Sequence, residues 1–321
     1  MMLQTIVKTP KYNGLFDHSV RILSLGSCFA DNVAEKLKDD MFHVCANPFG
    51  VLFNPESIAQ SLERITNNVS FTAGDFNLSN GKYFSFSLHS SFSSETLEDS
   101  IGNANKSLAE AHSCFEKAKV LIITFGTAYV YRLKGGRVVA NCHKEPQSNF
   151  VRVALSVSEI VERYKSLLSL LWQKYDFKVL FTVSPIRHLR DGIHENQVSK
   201  SILHLAVNEL NLWNPERFLY FPSYEIMMDE LRDYRFYADD MVHPSDLAVS
   251  YIYEKLMEST MSDATIRILP QIRSYTKLAQ HRLKDESQRE AWEKKLKQMR
   301  LEIESQLPGV DLWPMQTKVD E

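Results

Sequence analysis

Two side chains that can act as nucleophiles, Ser27 and Cys28, follow one another near the start of the chain. The apolar run 22–25 predicts a buried strand that ends at Gly26, and residues 33–37 have helical spacing. A helix that begins directly after a strand presents unpaired amides and a positive dipole at its first turn. We therefore expect a thiol there to have a lowered pKa and an oxyanion to find donors. The structural alternative is that Ser27 caps the helix and Cys28 is a small buried residue.

A carboxylate and an imidazole, Asp240 and His243, are separated by two residues in the stretch 237–245. On a loop, this spacing lets the carboxylate orient the imidazole. His243 would accept a proton from a nucleophile, and Asp240 would set its tautomer and stabilise the imidazolium. Pro244 is placed to open a helix over 246–257. Such a pair is common in loops, but together with a nucleophile at a strand end it favours catalysis.

These groups have to be positioned by alternating strands and helices. The continuous apolar run 120–125 predicts a strand buried on both faces, and it ends at Gly126. Another strand is predicted over 179–183, before the turn at Ser184 and Pro185. The alternation predicts a three-layer α/β/α sandwich with a mostly parallel sheet. Ligands of such sheets bind outside the carboxyl ends of the strands, where these predicted turns lie.

The sequence divides into one domain, an insertion and an extension. An α/β domain is predicted over 1–261, with a Ser-, Asn- and aromatic-rich insertion at about 66–95 and a hairpin around Gly135. A C-terminal helical extension is predicted over 262–321. Its apolar stripe indicates a helix that packs on the main domain or forms an oligomer contact. The stripe consists of Trp292, Leu296, Met299, Ile303 and Leu307.

The composition argues against several classes of protein. The net charge of −3 over 321 residues favours neither a nucleic acid nor an anionic membrane as partner. We expect no signal peptide and no membrane span, because the chain lacks the apolar windows that both need. Four scattered cysteines without CxxC spacing indicate a reducing compartment, so we predict a cytoplasmic protein. No cofactor or metal is predicted, since phosphate-binding glycine motifs are absent and His143 beside Cys142 lacks a second ligand pair.

Several separated motifs resemble the GSCFA family, whose name is spelled by residues 26–30. That family is grouped with the SGNH, or GDSL-type, hydrolases. The resemblance covers roughly 20–260 and implies a flavodoxin-like sandwich that hydrolyses or transfers an ester-linked acyl group. It also implies a nucleophile after the first strand, a DxxHP-type motif after the last, and Gly and Asn oxyanion donors between. The other matching pieces are NPFGVLFNP (47–55), ITFGTAYVY (123–131), NCHK (141–144), SPIRH (184–188) and DDMVHPS (239–245).

The resemblance departs from the SGNH pattern at the nucleophile and at one oxyanion donor. Cys28 occupies the slot of the catalytic serine, and we favour it over Ser27 because a helix N-terminus and a histidine suit a thiolate. Ala128 stands where the pattern has a donor side chain, so the second oxyanion donor stays open. The residues considered for oxyanion or substrate binding are Gly50, Gly126, Thr127, Asn141, Arg187 and His188.

The function predicted from the sequence is that of an SGNH-like acyl hydrolase or acyltransferase, acting on an ester or thioester through Cys28 or Ser27. The expected substrate is a small-molecule or carbohydrate ester, and the C-terminal helices offer a surface for a homo-oligomer. The alternative is a non-catalytic module that binds a glycan or lipid on a hydrolase fold. The lack of a donor at position 128 favours the module, whereas the intact Asp240–His243 pair favours the enzyme.

Overall fold

The computed structural model describes residues 5–281 and 286–312. Its strands are β1 (Arg21–Gly26), β2 (His43–Ala46), β3 (Asn77–Ser79), β4 (Lys82–Phe84), β5 (Ala118–Phe125), β6 (Tyr129–Leu133), β7 (Val138–Val139), β8 (Phe150–Ala154), β9 (Lys178–Val183) and β10 (Phe218–Tyr220). Its α-helices are α1 (Cys28–Asp39), α2 (Pro55–Thr66), α3 (Leu97–Lys117), α4 (Val157–Leu171), α5 (Ile193–Trp213), α6 (Ser223–Glu225), α7 (Asp246–Thr260), α8 (Asp263–Ala279) and α9 (Arg289–Gln306). A π-helical turn at Ile226–Glu230 follows α6 directly.

Five parallel strands form the central sheet in the order β10-β9-β5-β1-β2. If these five strands are numbered 1 to 5 in chain order and read from β2 across the sheet, their spatial order is 2-1-3-4-5, as in a flavodoxin-like sheet. The direction of winding reverses between β1 and β5, so the crevice at their carboxyl ends is where such a fold binds ligands. The predicted three-layer sandwich with a mostly parallel sheet is confirmed.

Both faces of this sheet are covered by helices. Alternate residues of β5 enter two separate apolar cores, with Leu121 and Ile123 on one face and Val120 and Ile122 on the other. Helices α2, α3, α4 and α5 contribute to the first core, and α1, α7 and α8 to the second. Full burial of each such side chain stabilises the fold by roughly 1.5–3 kcal/mol. The continuous apolar runs therefore specify strands with two buried faces.

Two small antiparallel sheets accompany the central one. Strands β3 and β4 form a hairpin within the insertion, and β7-β6-β8 form a three-stranded sheet. The predicted hairpin is confirmed as β6 and β7, with Gly136 at a φ of 89° in its turn. Strand β8 was not predicted. Its short segment is only partly buried, so it lacks the strong apolar pattern of the central strands.

The described part of the C-terminal extension packs on the α/β domain. Ile268 and Ile272 of α8 share a small core with Met41 and with Ile303 of α9. The guanidinium of Arg273 also donates to the buried Asp40 carboxylate at 2.8 Å. The apolar stripe therefore faces the main domain at Ile303, and whether it also joins a second copy stays a prediction. None of the described helices is long and apolar enough to cross a membrane.

Candidate active site

Cys28 lies at the first position of α1, and one residue, Ser27, separates it from the end of β1. The strand passes so close to β5 that a Cβ on Gly26 would lie 2.3 Å from the Thr124 carbonyl oxygen. Gly26 also has a φ of 151°, which side chains rarely allow. The glycine therefore permits the tight passage from strand to helix, and this passage presents Cys28 at the carboxyl edge of the sheet.

The two candidate nucleophiles differ in exposure. Ser27 is only 1% exposed, and its Oγ atom has no hydrogen-bond partner among the described residues. Its backbone occupies the cap position of α1, but its side chain makes no capping hydrogen bond. Cys28 is partly exposed, and the amides of Cys28 and Phe29 face its sulfur. The geometry thus favours Cys28, and the interpretation of Ser27 as a side-chain cap is wrong.

The pKa of the Cys28 thiol is raised, which corrects the expectation of a lowered one. Burial is the largest cause, and the nearby Asp31 carboxylate acts in the same direction. The helix amides and the ammonium group of Lys200 oppose the shift without overcoming it. Because the group is a neutral thiol at neutral pH, it needs a base to become a nucleophile.

Asp240 and His243 form the pair that their spacing predicts. Asp240 Oδ2 lies 2.6 Å from His243 Nδ1, and Oδ1 accepts the amides of Val242 and His243 at 2.9 Å. These two amides, together with the imidazole, lower the pKa of Asp240 to about 2. The carboxylate therefore holds the proton of His243 on Nδ1 and leaves Nε2 free to accept another. Both side chains are about half exposed, at 50% and 46%, so a substrate can reach them.

The loop that carries this pair is closed on itself. The Ala238 amide donates to the His243 carbonyl at 2.8 Å, and Tyr237 pairs with Pro244 in an antiparallel bridge. Pro244 precedes the helix cap Ser245 and lies outside the first turn of α7, which corrects its predicted role as the opening residue. The closed loop restricts where the imidazole can point.

The loop and the nucleophile lie on one apolar core, since Cys28 and Val242 both pack against it. The Arg187 amide donates to the Val242 carbonyl at 3.5 Å, which joins the segment after β9 to the Asp240–His243 loop. The charges of Lys200 and His243 both act to lower the pKa of His188. The charge of Cys28 acts to raise the pKa of Lys200. Within the described residues, no hydrogen bond joins Cys28 to His243. Catalytic hydrogen bonds are often long before substrate binds.

Three of the amides considered as oxyanion donors are already engaged. The amides of Gly126 and Thr127 both donate to the Phe53 carbonyl, at 2.8 and 2.9 Å, and the Gly50 amide donates to the Asn47 carbonyl at 2.7 Å. Their expected role as oxyanion donors is therefore not supported, because each donor already has a backbone acceptor. The amides that do face the sulfur are those of Cys28 and Phe29.

Two candidate side chains are also engaged elsewhere. The Thr127 hydroxyl is buried and lies 3.1 Å from the Ser199 hydroxyl. Asn141 Oδ1 accepts the His143 amide at 2.8 Å, in a turn where His143 has a positive φ. His143 itself donates from Nε2 to carbonyls of the insertion. The Thr127 hydroxyl is thus not placed as an oxyanion donor, whereas the Asn141 hydrogen bond uses only its oxygen, and the donor role of its Nδ2 group stays a prediction.

Arg187 and His188 have different surroundings. The Arg187 guanidinium lies 3.4 Å from the Met228 sulfur. His188 Nε2 is buried without a hydrogen-bond partner among the described residues, and it would lie 3.2 Å from a Cβ on Gly126. Burial, followed by the charges of Lys200 and His243, lowers the pKa of His188 to about 3. His188 is therefore a neutral imidazole with an unused ring nitrogen close to the end of β5.

Two residues of this edge escaped the sequence analysis. Asn47 accepts the Gly26 amide at 2.8 Å and donates to Asp31 at 2.6 Å, so it supports the turn before Cys28. Lys200 is 1% exposed and donates to the carbonyls of Gly126 and Ser184. The sequence does contain a pattern that could have identified Lys200, because this residue falls on the apolar face of α5. A lysine on the apolar face of a helix is expected to have a buried hydrogen-bond partner, but only the fold shows which groups these partners are.

Among the described residues, no group of three or more His, Cys, Asp and Glu side chains is arranged to hold a metal ion. The model of the GSCFA family matches residues 21–256 of this chain. The matched region includes Cys28, Lys200, Asp240 and His243. A comparison with curated proteins finds no match.

Proposed function

This chain belongs to the GSCFA family, and we propose that it is an SGNH-like acyl hydrolase or acyltransferase with Cys28 as nucleophile. The region that matches the family holds both this thiol and an Asp–His pair at one sheet edge. The observation that carries the proposal is the 2.6 Å contact between Asp240 and His243 on a loop tied to the segment after β9. An imidazole oriented in this way is what a neutral thiol requires for activation.

The proposed reaction has two acyl-transfer steps. His243 Nε2 takes the proton of the Cys28 thiol while the sulfur attacks the carbonyl carbon of an ester or thioester. The oxyanion that forms is stabilised by the amides at the start of α1. When the intermediate collapses, His243 returns the proton to the leaving alcohol or thiol, and an acyl-cysteine remains. Water or an acceptor alcohol then takes the acyl group by the reverse sequence of proton transfers.

The charge states of the nearby groups support these roles. The lowered pKa of Asp240 keeps its carboxylate ionised, so it stabilises the imidazolium that His243 becomes. The raised pKa of Cys28 keeps the resting thiol protonated, so the base has a proton to remove. His188 is a neutral imidazole whose buried Nε2 lacks a partner among the described residues, so it would donate to a substrate only after that nitrogen becomes exposed.

The substrate class in this proposal is an acyl ester or thioester of a small molecule or carbohydrate. It follows from the family resemblance, and a thioester suits a thiolate that is both a good nucleophile and a good leaving group. A nucleophilic thiol also has to stay reduced, and all four cysteines are free in the structure. A reducing compartment such as the cytoplasm is therefore part of the proposal.

A second candidate function is a non-catalytic module that binds a glycan or lipid. The engaged amides of Gly50, Gly126 and Thr127 favour it, because an acyl-transfer enzyme needs free oxyanion donors. The oriented Asp240–His243 pair argues against it, since a binding module has no need of a polarised imidazole.

The deciding experiment is intact-mass detection of a covalent adduct after brief exposure to p-nitrophenyl acetate or a fluorophosphonate. Wild type, Cys28→Ala, Ser27→Ala and His243→Ala are compared. We expect an acetyl adduct in wild type and Ser27→Ala, none in Cys28→Ala, and slow formation in His243→Ala. Loss confined to Ser27→Ala would assign serine chemistry, and a folded wild type without any adduct would favour the binding module.

A further inference from the structure

Lys200 is a buried lysine at the centre of the candidate site. It lies in α5 with 1% of its surface exposed. Its Nζ atom donates to the Gly126 carbonyl at 2.6 Å and to the Ser184 carbonyl at 2.7 Å. These carbonyls belong to the residues that directly follow β5 and β9. The nitrogen therefore joins two neighbouring strands at the carboxyl edge where the candidate nucleophile lies.

The charge of this lysine has no carboxylate partner among the described residues. Its nitrogen is surrounded by two neutral carbonyls and lies 5.7 Å from the centroid of the Tyr224 ring. A buried cation without a counter-ion is costly, and burial accordingly lowers the pKa of Lys200 to about 7. The Ser27 amide donates to the Thr124 carbonyl at 3.3 Å, two residues before the Gly126 carbonyl that Lys200 binds, so Cys28 and Lys200 meet at the same end of β5. Among the described residues, the negative charge that acts on Lys200 is the thiolate form of Cys28.

The surrounding titratable groups come from four elements. Cys28 faces Lys200 from α1, His188 from the segment after β9, Tyr224 from α6, and His204 from the next turn of α5. Burial and Lys200 together lower the pKa of His188 to about 3 and of His204 to about 4, so both imidazoles are neutral. Burial raises the pKa of Tyr224. Cys28 is thus the neighbour that gains a charge during the proposed reaction.

We propose that Lys200 is a positioning residue that stabilises negative charge at Cys28, first on the thiolate and then on the oxyanion. The inference rests on the proposed function for its oxyanion part, but its thiolate part applies to Cys28 chemistry of any kind. In the molecules in which Lys200 is protonated, the proton of Cys28 goes to His243 and Lys200 keeps its own, so the ammonium and the thiolate form an ion pair inside the protein. The two carbonyls hold the ammonium in place before the charge develops.

Three substitutions separate the charge of Lys200 from its hydrogen bonds. Lys200→Met removes both, Lys200→Gln keeps amide donors without charge, and Lys200→Arg keeps the charge. The matched control is Lys178→Met, which removes an exposed positive charge at the amino end of β9, on the opposite edge of the same sheet. Urea unfolding of each variant measures the structural part of the effect.

The readout is the rate of Cys28 alkylation by iodoacetamide against pH, followed by mass spectrometry of the Cys28 peptide. We expect the Met and Gln variants to lose about tenfold in rate at neutral pH, because removal of a neighbouring opposite charge raises a thiol pKa by about one unit or more. The Arg variant and Lys178→Met should keep the wild-type profile. If the Met variant does not fold, the Gln and Arg variants carry the same comparison.

The outcomes also separate this inference from the proposed function. Wild-type alkylation profiles in both uncharged variants would overturn the role of Lys200 while leaving acyl transfer untouched. Shifted profiles in a protein that forms no acetyl adduct would retain the role of Lys200 and reject the acyl-transfer function. Reduced stability with an unchanged profile would make Lys200 a structural tie between β5 and β9 only.

Discussion

The Oδ2 atom of Asp240 lies 2.6 Å from Nδ1 of His243, and the second carboxylate oxygen of Asp240 accepts two backbone amides. These three hydrogen bonds all favour the ionised form of the carboxylate. The arrangement sets both the tautomer and the direction of the imidazole before a substrate arrives. Because both side chains lie on one loop, single substitutions in that loop test the arrangement directly.

Asp240→Asn is expected to slow acylation by p-nitrophenyl acetate on the order of a hundredfold or more, because an amide favours the wrong imidazole tautomer and cannot stabilise the imidazolium. The burst of p-nitrophenol measures this rate. Asp233→Asn is the matched control, since Asp233 is an exposed carboxylate of the preceding turn that pairs with Arg235. Equal rates in wild type and Asp240→Asn would remove the pair from the mechanism.

Alkylation of Cys28 by iodoacetamide is expected to rise with pH and to reach half of its plateau above the pKa of an ordinary thiol. Only the thiolate reacts, and burial raises the pKa of Cys28, so at neutral pH the folded protein holds less thiolate than the unfolded chain. The folded protein should thus react more slowly there than the urea-unfolded protein. Faster reaction in the folded state would show that the helix amides and Lys200 outweigh burial.

Gly26→Ala is expected to destabilise the fold by about 3 kcal/mol or more, because the new Cβ would clash with the Thr124 carbonyl in a backbone conformation that alanine avoids. Urea unfolding provides the free energy. Gly102→Ala is the control, since a Cβ at that position of α3 meets nothing within 4 Å. In a helix this exchange should stabilise by up to about 1 kcal/mol.

Arg273→Met is expected to cost about 3–5 kcal/mol, because it leaves the buried Asp40 carboxylate without the guanidinium of α8. Tyr253 would still donate to that carboxylate at 2.8 Å, so the loss should lie toward the lower end. Arg267→Met removes an exposed arginine of the same helix and should change the free energy of unfolding little. If both substitutions change the free energy of unfolding equally little, the contact between Arg273 and Asp40 contributes little to the stability of the domain.

The sequence by itself determined the architecture. The run 120–125 is apolar at every position except Thr124, and such a run is stable in water only when both faces of its strand are covered. The Asp240–His243 pair was equally predictable, because residues three apart in one loop meet without help from the rest of the fold. The turn at 26–28 followed from a glycine between a strand pattern and a helix pattern.

Only the tertiary structure decided the electrostatics and the donors of the site. Helix amides alone predict a lowered pKa for Cys28, but burial by neighbouring elements reverses the direction. The Phe53 carbonyl occupies the amides of Gly126 and Thr127 across more than 70 residues of chain. Lys200 enters the site because α5 packs against the ends of β5 and β9. Desolvation and hydrogen-bond competition depend on contacts between distant segments, and local sequence patterns do not record those contacts.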